Sequence, residues 1–271
     1  AIFPHRFSAP PSNAGRTCDC ALPPMLPLRA SLACRRLPRR LSAPPLEAFN
    51  TSRRLSTLSA DHTPAPEFDL AAIRSELAVE HAHSAGSECR WDDASAPWHW
   101  LDREMSSNMA GETGAVCIYD GAAAALSLRG TASAETLRFV DEHREAERRH
   151  LELIECLLPP HKHTRLLPMW RAAGFALGFA PALVSDRALF KTVEAVETFV
   201  EEHYGEQIGP LKVHGRCPQL VALLEHCCAD EVHHKEDAAR RAGAHESLLE
   251  RAWMAVVRFG SAVAAEAARR V

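Results

Sequence analysis

Two residue pairs, Glu147 with His150 and Glu231 with His234, repeat the spacing Glu-x-x-His. Positions three apart on an α-helix share a face, so each pair can turn a carboxylate and an imidazole toward one ion. The spacing by itself is common; Glu80 and His83 share it with nothing around them to complete a site. The other two pairs have company. Glu112 stands 35 residues before Glu147, and Glu197 stands 34 before Glu231. Seven residues after each of these come Tyr119 and Tyr204, the two tyrosines of the chain. The pattern Glu-x6-Tyr followed by Glu-x-x-His thus occurs twice at nearly equal spacing, as an internal duplication would leave it.

Helical periodicity places the four glutamates on apolar faces. Glu112 continues the stripe Met105, Met109, Val116, Ala123 and Leu126. Glu147 lies seven residues from both Val140 and Ile154, on a stripe that also takes in Leu137 and Leu158. Glu197 falls among Phe190, Val193, Val200 and Ile208, and Glu231 and His234 extend Leu220, Leu224 and Cys227. Glutamates usually face water. Four of them at core positions would repel one another strongly and would be costly to bury ionised, unless cations hold them together. The pattern therefore predicts a metal site, and carboxylates with one imidazole per ion suit iron or manganese better than zinc or copper.

The elements that must carry these residues are helical, and the chain is read as all-α. Helices are expected from about residue 103 to Gly130, from about 133 to Leu158, from Asp186 to Ile208 before Gly209-Pro210, from Pro218 to near Gly243, and over about 246–269. Residues 67–100 are poorly patterned and read as a linker or accessory cap. Between the second and third expected helices, an uncharged run covers Ala172 to Ser185. Its fourteen residues fall short of the roughly 20 that cross a bilayer. It reads either as a buried core helix or as an element meeting a membrane surface or an apolar substrate, with Trp170 and Arg171 suited to an interface.

Residues 1–60 differ in composition. They hold nine arginines, no lysine and only Asp19 and Glu47 as acids, and 11 of the 18 prolines fall before residue 67. Such a stretch is expected to be disordered and to act as a mitochondrial transit peptide, with 61–100 a linker or accessory segment and 101–271 the functional domain. Without residues 1–60 the chain keeps 22 Lys+Arg against 33 Asp+Glu, a net of −11, which excludes nucleic acid as a partner. The nine cysteines form no C-x-x-C pair, and Cys227 and Cys228 read as buried thiols.

One Glu from each of two helices plus Glu-x-x-His from each of two more resembles the ligand set of ferritin-like di-iron proteins. Longer stretches resemble one family, the demethoxyubiquinone hydroxylases of ubiquinone biosynthesis. They are Ala110–Val116, Glu147–Leu151, Leu167–Trp170 with Gly174–Gly178, Ala195–Glu197 with His203-Tyr204, Gln207-Ile208, Glu231–His234 and the region from Arg258 to Arg270. The resemblance covers about 101–271, and the glycine-bearing Trp170–Gly178 segment separates this family from other ferritin-like proteins.

It implies a ferritin-like four-helix bundle with additional membrane-interacting helices. Glu112, Glu147, His150, Glu197, Glu231 and His234 would hold two iron ions. His203 and Tyr204 would be catalytic candidates that support the ligands or carry electrons. The implied activity is hydroxylation of a polyprenylated benzoquinone with O2 and electrons from NADH. The implied setting is peripheral, on the matrix side of the mitochondrial inner membrane, with other ubiquinone-biosynthesis proteins, a lipid-binding one among them, and a second copy of the chain as partners. Two features depart from the family pattern: Met109 stands where the family carries His, and the 67–100 extension has no counterpart in it; Glu201, an acid one turn after Glu197 on nearly the same face, is a candidate alternate ligand. A ferroxidase is the rival reading, disfavoured by the apolar 166–185 segment.

Overall fold

A computed structural model describes residues 67–86, 90–95 and 99–271. The transit-peptide reading of residues 1–60 lies outside them. Among the described residues the regular structure is helical throughout: α1 (Leu70–Ala85), α2 (Trp100–Arg129), α3 (Ala134–Leu157), a short 3-10 turn (Pro160–Lys162), α4 (Leu167–Val184), α5 (Asp186–Val213), α6 (Pro218–Ala242) and α7 (Leu248–Ala268).

Helices α2, α3, α5 and α6 form the ferritin-like bundle, with α2 on α3 and α5 on α6; α4 lies along α2 and bridges to α5, and α7 rests on α5 and α2. Local chemistry sets the ends. The His99 ring accepts from Leu101 N and the Asp102 carboxylate accepts from His99 N at the start of α2, while Gly130 closes it at φ 65°. Ser133, Ser185 and Ser247 accept from the first turns of α3, α5 and α7. Helix α6 has no cap of its own. Glu76 of α1 supplies one, accepting from Gln219 N and Leu220 N at 3.0 Å.

The pairing of α2 with α4 is made by backbone contact. A Cβ on Gly178 would stand 1.8 Å from Ile118 O, one on Gly121 2.1 Å from Phe175 O, and one on Gly174 2.5 Å from Gly114 O. Only hydrogen fits at these crossings, which draws α4 directly against the helix that carries Glu112.

Several expectations need correction. Residues 70–85 form a helix, with Ile73 and Leu77 fully buried in the core cluster that Tyr204, Leu220 and Leu224 share. Helix α5 does not stop at Gly209-Pro210; it carries the proline and runs one more turn to Val213. On α3 the buried aromatic is Phe139, while Leu137 is exposed. Cys228 is half-buried beside a buried Cys227, and both are free thiols. The uncharged run is part of α4, which buries only Gly174, Gly178, Pro181 and Ala182, so it is not a buried core helix. By length and composition alone, α4 is long and apolar enough to cross a membrane.

Candidate metal centre

Each of the four bundle helices delivers a glutamate to one buried point. Glu112, Glu147, Glu197 and Glu231 are all at most 4 % exposed, as are His150 and His234. They form two groups that could each hold an ion: Glu112, Glu147, His150 and Glu231, and Glu147, Glu197, Glu231 and His234. Within each group, ligand atoms lie within 4.8 Å of one another. Glu147 and Glu231 belong to both groups, so the two positions are adjacent and share two carboxylates.

Both imidazoles present Nδ1 inward. His150 Nδ1 is 2.9 Å from Glu231 Oε1 and 3.8 Å from Glu112 Oε2, and His234 Nδ1 is 3.0 Å from both Glu231 Oε2 and Glu147 Oε1. Tyr204 Oη donates to Glu112 Oε1 at 2.5 Å. Glu112 Oε2 is buried without a hydrogen-bond donor, and Glu147 Oε1 has only the His234 Nδ1 contact, out of line for a hydrogen bond. Buried carboxylate oxygens short of donors are what a cation would satisfy. The donor set, hard oxygens with one imidazole at each position, fits iron.

The electrostatics point the same way. Burial, then the charge of neighbouring glutamates, pushes the Glu147 and Glu197 carboxyls up. Burial raises Glu112 well above its ordinary range as well, with His150 opposing. Glu231 is held down at about 2 despite its burial, because His150 and His234 both donate to it. His234 is correspondingly lifted to about 11 by Glu147 and Glu231, against the cost of burying its charge. Without cations, the cluster can ionise only by charging its own histidines.

Of the remaining candidates, Tyr204 touches a glutamate of the cluster and His203 does not. His203 is buried in the same cavity wall, with Arg269 Nη2 3.0 Å from its Nδ1 and Ser107 Oγ 3.3 Å from its Nε2. Burial and the Arg269 charge lower its pKa to about 4. Tyr119 reaches His143 Nδ1 at 3.4 Å, so the two tyrosines of the duplication have different partners. Glu201 pairs with Lys235 at the half-exposed surface and belongs to neither group. Met109 is buried in the apolar core. Glu80 pairs with Arg216 and His83 is exposed, consistent with an incidental spacing.

Two neighbours escaped the sequence reading. Asp230 accepts from His150 Nε2 at 3.0 Å, on the far side of the ring from the glutamates. Its signal was an acid immediately before a Glu-x-x-His, which fixes the ring's orientation when it comes from the facing helix. His143, one turn before Glu147, stacks on His234 at 4.2 Å between ring centroids and lies 3.5 Å from Asp237. Burial and the nearby His234 push its pKa down to about 2, so it packs there as a neutral ring.

The glutamates open onto a cavity of about 430 Å³ between α2, α4, α5 and α7. Its walls are overwhelmingly apolar, with Trp170, Leu177, Phe199, Trp253 and Val257 prominent. Outside it, Phe175, Leu183 and Val184 of α4 and Leu248, Leu249 and Phe259 of α7 are exposed, as are Met169 and Val256 of the lining itself.

The model of a family described as ubiquinone biosynthesis protein COQ7 matches residues 99–268. The match excludes α1. A 3-demethoxyubiquinol 3-hydroxylase of Rhodospirillum rubrum is 33% identical over 144 residues, 52% of this chain and 65% of that protein. An NADPH-dependent 3-demethoxyubiquinone 3-hydroxylase, mitochondrial, of Dictyostelium discoideum is 34% identical over 113 residues, 41% of this chain and 50% of that protein. A 5-demethoxyubiquinone hydroxylase, mitochondrial, of Saccharomyces cerevisiae is 34% identical over 112 residues, 40% of this chain and 46% of that protein. The chain spans about half to two thirds of the length of these relatives.

Proposed function

We propose, for a chain that belongs to the ubiquinone biosynthesis protein COQ7 family, that it is a di-iron monooxygenase hydroxylating the ring of a polyprenylated demethoxyubiquinone intermediate. One observation carries the reading: two ligand groups sharing Glu147 and Glu231 open directly onto an apolar cavity. A storage site would have no use for that cavity.

Glu112, Glu147, His150 and Glu231 would hold one iron, and Glu147, Glu197, Glu231 and His234 the other. Two divalent ions balance the four carboxylate charges, which supports a count of two. When bound, the ions supply the electrons and coordination positions that activate O2 for insertion of one oxygen atom into the ring. The chain's own part is to bind and orient. Tyr204 fixes the rotamer of Glu112 through its 2.5 Å hydrogen bond, and Asp230 fixes the His150 ring. Trp170, Leu177, Phe199 and Trp253 shape an apolar slot that excludes water and takes the ring and the start of its tail.

The electrons come from a reduced nicotinamide nucleotide. NADH is the donor we propose, and since relatives are named NADPH-dependent, turnover of the purified protein with each nucleotide side by side checks it. The exposed apolar residues of α4 and α7 support peripheral contact with a membrane, where a polyprenyl tail resides. We place the protein on the matrix side of the mitochondrial inner membrane, with residues 1–60 as the transit peptide and 101–271 as the hydroxylase domain. Other ubiquinone-biosynthesis proteins, a lipid-binding one among them, and a second copy of the chain are its proposed partners.

Expression in cells lacking their own demethoxyubiquinone hydroxylase tests the assignment, with quinones profiled by mass spectrometry. Depletion of the demethoxy intermediate and appearance of ubiquinone are expected. Continued accumulation of the intermediate with the protein present and iron-loaded would sink it.

A further inference from the structure

The cavity wall carries few polar groups, and most are already committed. Asn108 of the wall exchanges two amide hydrogen bonds at 2.8 Å with Gln207 behind it, which hold its amide in place. Tyr204 spends its hydroxyl proton on Glu112. Ser107 is different, and its difference traces to a chain of donors that begins at the C-terminal end of α7. A guanidinium can only donate, so the contact between Arg269 Nη2 and His203 Nδ1 makes Nδ1 the acceptor. The His203 proton must therefore sit on Nε2, which faces Ser107 Oγ at 3.3 Å. The Ser107 oxygen is thereby an acceptor, and its own proton must point elsewhere. The one acceptor in reach is Ala265 O at 3.4 Å, long for a hydroxyl bond, and that carbonyl already accepts from Arg269 N at 3.1 Å. The Ser107 proton can thus leave for a better acceptor in the cavity at little cost. Arg269 is held for its task by Glu104 at 3.0 Å and Glu266 at 3.2 Å.

We propose that Ser107, polarised by His203 and Arg269, donates the hydrogen bond that anchors one ring oxygen of the quinone. Ser107 touches the substrate; His203 and Arg269 are positioning residues that fix the direction of its proton. The inference rests on the quinone reading given above. It also gives the cavity a polar end, which an apolar slot needs in order to hold a ring in one orientation.

The test uses the full-length, iron-loaded protein without O2 or reductant, so that binding is read apart from turnover. Calorimetric titration compares a decyl-tailed methoxy-methyl-1,4-benzoquinone with the same decyl-tailed ring lacking both carbonyl oxygens. Ser107→Ala is expected to weaken the quinone about 5- to 10-fold, the effect of losing one neutral hydrogen bond, and to leave the oxygen-free ring unchanged. Ser107→Thr, which keeps the hydroxyl, restores the quinone affinity. Arg269→Met gives a smaller loss with the same selectivity, and Ser75→Ala, exposed on α1 and outside the cavity wall, has no effect. In turnover, Ser107→Ala raises KM more than it lowers kcat. Equal weakening of both ligands in Ser107→Ala would show a packing role only and overturn the proposal, as would unchanged affinity for both. If the parent binds the oxygen-free ring as tightly as the quinone, the anchor is absent altogether. If the parent binds neither, the quinone reading itself fails.

Discussion

The metal centre should make the protein less stable when it is empty, and Glu197→Gln exposes this. Burial and the charges of Glu231 and Glu147 raise the Glu197 carboxyl well above its ordinary value of 4.5. Folding at pH 7 without metal therefore means taking up a proton that the unfolded chain does not hold. The cost has a ceiling, about 1.4 kcal/mol for each pH unit between 4.5 and 7, or about 3.4 kcal/mol. A glutamine of the same shape has no proton to take up, and its amide can donate to the facing carboxylates.

Glu197→Gln should thus stabilise the metal-free protein at pH 7 by up to about 3.4 kcal/mol, about 10 °C in Tm for a domain of this size. The sign depends on pH. A carboxyl whose folded pKa is raised is destabilising above its unfolded pKa, so the gain shrinks as pH falls from 7 and vanishes below about 4.5. Raised histidines act in the same direction: the contribution of His234, lifted to about 11, is complete below 6.5 and is lost as pH rises through 11. Glu231, held at about 2, stays ionised throughout this window and does not interfere.

Thermal unfolding in chelator from pH 4.5 to 8, repeated anaerobically with ferrous iron, reads all of this. The parent should gain more from iron than the variant, reversing their order. A variant less stable than its parent in chelator at pH 7, or a gain that persists unchanged at pH 4.5, would refute the reasoning.

Two further substitutions probe the surroundings. Gly178→Ala places a methyl 1.8 Å from Ile118 O, so α2 and α4 must separate, at a cost of about 2–3 kcal/mol and a fall in Tm of about 5–10 °C by calorimetry; an unchanged Tm would contradict the backbone contact. Asp230→Asn weakens the orientation of His150, and iron affinity measured by competition with a chelator should fall about 10- to 100-fold, while the helix content stays as in the parent.

The site was more legible than the frame around it. Glu112, Glu147, Glu197 and Glu231 interrupt apolar stripes at positions where an acid has no other reason to stand, and all four are buried. Helix α1 was missed because its buried side includes Glu80 and His81, which are satisfied by Arg216 and Asp102 from elsewhere in the chain. Read by itself, the segment offers a short apolar period, Leu70, Ile73 and Leu77, which breaks off at Glu80 and His81. The run of α5 past Pro210 was missed for a related reason, since Leu211 is buried and tertiary packing outweighs the lost hydrogen bond. His143 and Ser107 carry no pattern of their own, because their partners lie on other helices, and the acid at Asp230 beside Glu231 gains its meaning only from His150 on the facing helix. The α2–α4 crossing was half visible: the glycines could be read, but what they admit could not.

The central claim is that six residues hold two ions through two shared carboxylates. Iron bound per chain after anaerobic reconstitution, in the parent and in single alanine variants, tests it most directly. The parent should bind two. Glu147→Ala and Glu231→Ala should lose both, since each belongs to both groups, whereas Glu112→Ala and Glu197→Ala should each lose the one they serve. Two irons retained in Glu147→Ala, or one iron in the parent, would contradict the account.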